Sequence, residues 1–371
     1  MITEIEQQTI TVDGTAYTPR EARATAGQPS MLQRLFGERY GAGSFHAALA
    51  DFLAEWFDGS ETLKVHTSGS TGTPKELQVE KRRMMNSAVM TVSFLGLKPH
   101  DTAMLCMPLQ YIAGKMVVVR ALVGQLDLLP VTPCGHPMQG MKEAPVFSAM
   151  IPMQVYNSLQ VPEERKMLEE TRHLIIGGGA IDDALAKAMK SFPHAVWSTY
   201  GMTETLSHIA LRRLDGPHAS TWYTPFGNVS VSPSDEGTLV IHAPAVSKET
   251  LVTNDIVEFN AEGQFRILGR KDNTINTGGV KVQIEQVEEL LKKHLHRPFQ
   301  ITAAPDACFG ERIVLLLEKI PDSPEDALPE DTFATLPPYW RPKQVMYVDK
   351  LPLTGTGKPD RAAARRIARG C

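Results

Sequence analysis

Long apolar runs are missing from this sequence, and with them the helical membrane-spanning class. No segment approaches the ~20 apolar residues that a bilayer-crossing helix needs. The best candidate, Met116-Val117-Val118-Val119, is cut short by Arg120. Cysteine is scarce: Cys106, Cys134, Cys308 and Cys371 are scattered without metal-ligand spacing. That pattern excludes a disulfide scaffold or zinc module and points to free thiols in a reducing compartment. Excess positive charge is lacking too. With 38 Lys and Arg against 42 Asp and Glu, the net charge is −4, so no broad basic surface for nucleic acid is implied. Only Arg361 to Arg369 is locally basic, and the expectation there is the solvated face of a terminal helix. The start, Met1-Ile2-Thr3-Glu4-Ile5-Glu6, has no apolar signal core, so a cytoplasmic protein is expected. The G-x-x-x-x-G-K-[ST] signature is absent as well, which disfavours a Walker-type NTPase.

What is present suits a globular enzyme. An apolar content of 42% over 371 residues supports a real core and, by length, two domains. The chain opens with a hairpin pattern over Thr9 to Tyr17, turning at Asp13-Gly14, and a helical pattern over Ser44 to Phe57. From Lys81 to Ser198 short apolar runs at 101–107, 126–129, 146–150, 173–176 and 195–198 alternate with helical periodicities. That alternation predicts an α/β sheet with parallel strands and ligands at their C-terminal ends. Past Gly227 short β segments follow one another in an antiparallel pattern. After Gly269-Arg270-Lys271-Asp272 a small α+β domain is expected, which divides the chain into 1–269 and 270–371.

The densest chemistry lies at Thr67-Ser68-Gly69-Ser70-Thr71-Gly72-Thr73-Pro74-Lys75, after a β-prone segment. Glycines let the backbone approach an anion, hydroxyls and N–H groups donate, and Lys75 adds a point charge. This is the chemistry of holding a polyphosphate, although a Ser/Gly/Thr linker has a similar composition. Gly177-Gly178-Gly179-Ala180 also follows a predicted strand and precedes a helix that Asp182 can cap, so it reads as a tight turn or a ligand wall. Thr199-Tyr200-Gly201-Met202-Thr203-Glu204 places an aromatic face, a permissive glycine, hydroxyls and a carboxylate together. Near bound phosphates Glu204 could hold Mg²⁺, since hard cations take oxygen ligands. Asp255 could bind a ribose or serve its own turn. Lys358 sits among glycines and threonines and by itself reads as a surface lysine.

Together these motifs resemble the adenylate-forming superfamily of acyl- and aryl-CoA synthetases, luciferases and nonribosomal adenylation domains. Thr67 to Lys75 is similar to its T-S-G-[ST]-T-G-x-P-K loop, and Tyr200 to Glu204 to its Y-G-x-T-E motif. Asp255 matches the Asp of T-G-D, with Asn254 in place of the glycine. Gly269 to Asp272 resembles the G-R-x-D hinge, Gly278-Gly279 the following glycine turn, and Pro352 to Lys358 the terminal P-x-T-x-x-G-K. Gly201-Met202-Thr203-Glu204-Thr205 with Ser207-His208 resembles most the o-succinylbenzoate–CoA ligases of menaquinone biosynthesis. Pro108 to Gly114 is similar to their P-L-F-H-[IV]-S-G, with Tyr111 in place of the histidine. Only 66 residues precede Thr67, so a trimmed first subdomain is expected.

The resemblance implies a two-step acid–CoA ligase acting on a carboxylic acid, ATP and coenzyme A with Mg²⁺. Lys75, Thr203 and Lys358 would be catalytic. Thr67 to Gly72, Gly178 to Ala180, Thr199 to Met202, Asp255 and Arg270 would bind nucleotide, with Tyr200 stacking on adenine. Gly278 and Gly279 would meet coenzyme A, and Asp272 would be the hinge of a mobile C-terminal domain. Tyr111, Gly114, Lys115 and His208 are the candidate acid-pocket residues. Lys115 or Arg120 could take the second carboxylate of a dianionic acid, or be an ordinary helix charge. Another acid, a carrier protein in place of coenzyme A, a silent nucleotide-binding relative and a homodimer all remain open.

Overall fold

The structure is a computed structural model of the chain that describes residues 1–25, 27–66, 76–179, 181–319, 328, 332–354 and 359–370. Residues 67–75, Ala180 and Lys358 lie outside the described residues. The expected opening hairpin is β1 (Ile10–Val12) and β2 (Thr15–Tyr17). Asp13 and Gly14 both hold positive φ, 47° and 77°, the conformation that matches a two-residue turn to strand twist. Next come α1 (Pro19–Ala22), α2 (Met31–Tyr40) and α3 (Phe45–Trp56). Composition hides α2, but a capping box marks it. Gln33 N–H donates to Ser30 Oγ at 3.1 Å, and Ser30 N–H donates to the Gln33 side chain at 2.8 Å, satisfying two donors that a helix start leaves orphaned.

A separate two-stranded ribbon of β3 (Thr62–His66) and β4 (Glu76–Glu80) precedes α4 (Lys81–Leu95). The alternation then runs β5 (Thr102–Leu105), α5 (Ile112–Gly124), β6 (Asp127–Pro130), β7 (Phe147–Met150), α6 (Pro152–Leu159) and α7 (Pro162–Glu170). It continues with β8 (His173–Ile176), α8 (Asp183–Met189), β9 (Ala195–Gly201), β10 (His208–Arg213) and β11 (Thr224–Pro225). The sheet order is β11-β10-β9-β8-β7-β5-β6-β1-β2. From β9 through β1 every pairing is parallel, while β10, β11 and β2 extend the edges antiparallel. Parallel strands are covered on both faces and so read as continuous apolar runs; every residue of β7 is buried. The antiparallel return at β10 escapes a strand–helix alternation, because its run His208-Ile209-Ala210-Leu211 follows β9 with no helix long enough to cross over.

By compactness, the described residues up to Val231 together with Ile241–Leu251 form one unit, and the described residues of Ser232–Val240 and from Val252 onward form the other. The second unit carries the four-stranded sheet β12 (Ser230–Pro233), β13 (Thr238–His242), β14 (Leu251–Phe259) and β15 (Phe265–Arg270), in that order. Its other sheet uses β16 (Thr274–Thr277), β17 (Val280–Gln283), β18 (Phe299–Asp306), β19 (Gly310–Glu318) and β20 (Gln344–Val348). The helices α9 (Ile284–Lys292) and α10 (Arg361–Arg369) accompany it. On β19 the period of two is explicit. Ile313, Leu315 and Leu317 pack with Val287 and Leu291 of α9, whereas Val314 and Leu316 pack with Ala364 and Ala368 of α10. Alternate strand residues face opposite sides, so the two helices cover opposite faces of this sheet.

One expectation for α10 needs correcting. Arg366 and Arg369 are exposed, but Arg361 is not part of a solvated face. Its guanidinium donates to both oxygens of Glu288 on α9, at 2.6 and 2.8 Å, and Glu288 also accepts the Ile301 N–H at 2.9 Å. The cause is that Ala364 and Ala368 seat the helix on the sheet and carry Arg361 to its edge. Removing one partner strands the other in a largely buried position, so Glu288→Ala should lower unfolding stability by about 2–3 kcal/mol. Denaturant unfolding followed by circular dichroism measures it, and a change within error would make the pair incidental.

Candidate active site

The first unit gathers its polar chemistry at the C-terminal ends of β8 and β9. After β8 the backbone passes through Gly177-Gly178-Gly179, with Gly178 at φ +77°. A Cβ on Gly177 would lie 2.4 Å from Thr199 Oγ1 on β9, so the glycine lets the turn lie against the neighbouring strand. Asp182 caps α8 by accepting the Leu185 N–H at 2.8 Å. Tyr200 closes β9 with its ring centroid 5.9 Å from that of Tyr223, whose hydroxyl meets Ser198 Oγ at 2.8 Å. Two aromatic rings therefore stand together at the end of β9.

The connection from β9 to β10 is compressed. A Cβ on Gly201 would come within 2.3 Å of Ser207 O, so only glycine permits this crossing. Met202 N–H donates to Thr205 Oγ1 at 3.0 Å, and Thr205 Oγ1 lies 2.8 Å from Ser207 O. Leu206 then takes φ 65°, ψ −35°, and Ser207 N–H reaches back to Thr205 O at 2.7 Å. A leucine at positive φ costs of order 1–3 kcal/mol and persists only where its surroundings impose it. Thr203 and Glu204 lie on the short 3₁₀ turn Thr203–Thr205, Thr203 half-buried and Glu204 exposed. Among the described residues no group of three acidic, His or Cys side chains is arranged to hold a metal. A lone accessible carboxylate fits Mg²⁺ held mainly by phosphates and water, the usual manner of that ion.

Under this loop lies Arg120, 2% exposed on a helix buried from Gly114 to Gly124. Its terminal nitrogen donates to Ser207 Oγ at 2.6 Å, while its Nε has no partner among the described residues. Burial pushes the guanidinium down to about 9, so it is still a cation at neutral pH, yet it pairs with no carboxylate among the described residues. His208, also buried, lies 3.0 Å from Thr91 Oγ1 and 3.3 Å from Ser207 Oγ. Burial and then the neighbouring Arg120 charge hold it well below the usual histidine range.

Lys115 is differently engaged. Its Nζ donates to Lys64 O on β3 at 2.9 Å, lies 3.6 Å from Glu55 and stands over the Phe52 ring at 5.4 Å. Tyr111 is the residue before α5, and a Cβ on Gly114 would meet Pro108 O at 2.5 Å. That glycine thus has a packing reason independent of any ligand. The strands β3 and β4 pair as far as His66 and Glu76, and the phosphate-loop expectation 67–75 falls between them, outside the described residues.

In the second unit Asp255 on β14 faces Arg270 on β15 at 3.2 Å, and Arg270 also binds both oxygens of Asp272 at 3.0 Å. Three residues singled out from two separate motifs are thereby in one cluster. Gly278 and Gly279 form the two-residue turn between β16 and β17, with φ +58° and +79°, a geometry that demands glycine for the hairpin itself. Leu353 pairs with Pro359 across an isolated bridge; Lys358 lies outside the described residues. The contact that motif spacing could not disclose is Arg120 to Ser207. Its only sequence signal is an arginine that interrupts the apolar run 116–123 of α5.

A large mainly parallel sheet, a glycine turn after β8 packed against Thr199 of β9, and an accessible Glu after Y-G-M-T are the features of a nucleotide-dependent α/β enzyme. The family described as AMP-binding enzyme matches residues 61–248, and the chain belongs to that family. A probable 2-succinylbenzoate–CoA ligase of Mycobacterium tuberculosis is 27% identical over 341 residues, covering 85% of this chain and 87% of that protein. An acyl-CoA synthetase (AMP-forming)/AMP-acid ligase II-like protein from Dyadobacter fermentans is 32% identical, with a TM-score of 0.60. The match covers 86% of this chain and 93% of that one. An o-succinylbenzoate coenzyme A synthetase from Bacillus subtilis, solved with ATP and magnesium ion, shares the fold at 19% identity. Its TM-score is 0.65, with 90% and 81% covered.

Proposed function

We propose that this enzyme is an AMP-forming acid–CoA ligase whose acid is o-succinylbenzoate, acting in the cytoplasm in menaquinone biosynthesis. The observation that carries the choice of acid is Arg120, a buried cation with no carboxylate partner among the described residues. A dianionic acid presents one carboxylate for reaction and a second that needs a fixed cation. A guanidinium meets it with two parallel donors. Lys115, already committed to Lys64 O and Glu55, is assigned to bracing β3.

In the first half-reaction a carboxylate oxygen of the acid attacks the α-phosphorus of ATP, and pyrophosphate leaves. Thr67 to Gly72 and Lys75 are assigned to the β- and γ-phosphates and Thr203 to the α-phosphate. Lys358 is assigned to the charge that develops between acid and phosphate, where preorganised donors lower the barrier most. Glu204 would hold Mg²⁺, which supplies charge neutralisation at the phosphates. Tyr200 is assigned to stacking on adenine, Gly178 to Ala180 to lining its edge, and Asp255, braced by Arg270, to the ribose. In the second half-reaction the coenzyme A thiolate attacks the acyl carbon and AMP leaves. Gly278-Gly279 is assigned to the thiol carrier, and Asp272 to the hinge of the 270–371 domain between steps.

ATP-dependent thioester formation with o-succinylbenzoate, benzoate and short fatty acids in parallel tests the reading. Strong preference for o-succinylbenzoate is expected. Preference for another acid would move the pathway, and adenylation without use of coenzyme A would indicate a carrier-loading enzyme.

A further inference from the structure

The hydrogen bonds around Arg120 run in one direction. An arginine only donates, so Ser207 Oγ accepts from it at 2.6 Å and keeps its own hydrogen for His208 Nδ1 at 3.3 Å. At the other end a carbonyl only accepts, so Thr91 Oγ1 donates to Ser87 O at 3.2 Å and must accept from His208 Nε2 at 3.0 Å. The imidazole between them is neutral, with its single hydrogen on Nε2, since burial and the adjacent guanidinium both oppose a second proton. Four hydrogen bonds thus share one proton order, from a cation to a helix carbonyl. The strained Leu206 and the Gly201 crossing fix the direction in which Ser207 enters this chain.

Resting on the dianionic-acid reading above, we infer that Ser207 and His208 are positioning residues that hold Arg120 for the acid's second carboxylate. They thereby set the preference for a dianionic over a monoanionic acid. Neither needs to touch the acid. Ser207 supplies the acceptor that fixes one guanidinium nitrogen, and a neutral His208 supplies the acceptor that orients Ser207 without adding a competing cation. A protonated imidazole would donate at both nitrogens and turn the serine hydrogen away.

The test measures adenylation of o-succinylbenzoate and of the analogue whose unreacting carboxylate is a methyl ester. Wild type, Ser207→Ala, His208→Gln and His208→Leu are compared. A glutamine side chain offers one acceptor and one donor and can restore the order; leucine cannot. Ser207→Ala and His208→Leu are expected to raise KM for the diacid about tenfold, with kcat and KM for ATP unchanged and the ester analogue unaffected. His208→Gln is expected to retain the wild-type ratio within about twofold. An unchanged ratio in Ser207→Ala, or equal losses in the Gln and Leu variants, overturns the inference. Equal turnover of diacid and ester by wild type overturns the dianionic-acid reading instead, and this outcome is visible before any variant is made.

Discussion

Arg120→Met is expected to give a folded enzyme whose melting temperature is unchanged or higher, and whose kcat/KM for the dianionic acid falls about 10²–10³-fold. The two halves of this result have one cause. A guanidinium buried to 2% exposure without an ion partner among the described residues has lost its hydration and recovers little in return. Replacement by an apolar side chain of similar length removes that cost, as it does for other buried charges. The same uncompensated charge is what a second carboxylate would satisfy. Losing one partner of a desolvated charge pair costs roughly 2–5 kcal/mol, and each ~1.4 kcal/mol is tenfold. The pH dependence has a definite sign. Burial depresses the folded-state value to about 9, so the charged form opposes folding below that pH and the penalty fades as pH rises through it. The stability gap between Arg120→Met and wild type should therefore be constant from neutrality to about pH 9 and begin to narrow above it. Melting curves from pH 6 to 10, with steady-state kinetics at pH 7.5, measure both. A variant that melts well below wild type while keeping diacid turnover would make Arg120 a structural residue.

Residues with a local reason to be where they are were legible in the sequence; those defined by tertiary neighbours were not. The parallel strands announced themselves as short β-rich runs bounded by turn residues, because both faces are buried. Lys81–Leu95 and Pro152–Leu159 stood out by helical period and, at the latter, a leading proline. Asp182 as a cap and Asp13-Gly14 as a hairpin turn likewise follow from backbone conformation alone. The helix Met31–Tyr40 was obscured by its glycine and polar residues, although Ser30 and Gln33 carried its capping signal. Lys115 and Arg120 could not be told apart by spacing. What separates them is that Lys64 O and Glu55 approach one, while among the described residues only Ser207 bonds to the other. Likewise Arg361 differs from Arg366 only because Glu288, far away in sequence, meets it.

Lys358→Ala is expected to remove adenylation by about 10²–10³-fold while leaving the conversion of preformed acyl-adenylate to thioester within a few-fold of wild type. The expectation rests on the resemblance of Pro352 to Lys358 to a terminal P-x-T-x-x-G-K motif and on the charge balance of the two steps. Attack of a carboxylate on an α-phosphate brings two anions together, and a cation placed between them acts on the transition state directly; removing one such donor costs roughly 10²–10³ in rate. Thiolate attack on the adenylate has no such meeting of carboxylate and phosphate, so the same lysine has little to stabilise there. Both flanks of the segment have defined partners. Pro352 O accepts from Asp360 N–H at 3.0 Å and from Gln300 Nε2 at 2.9 Å. Asp360 caps α10 at Ala363 N–H, 2.9 Å, and Arg361 holds Glu288. A single truncation at Lys358 leaves all of these bonds in place, so a general unfolding of the domain is not expected. Pyrophosphate exchange reads the first half-reaction, and coenzyme A acylation from synthetic adenylate reads the second. Equal losses in both would show that Lys358 serves the whole reaction and would end its assignment to the first step.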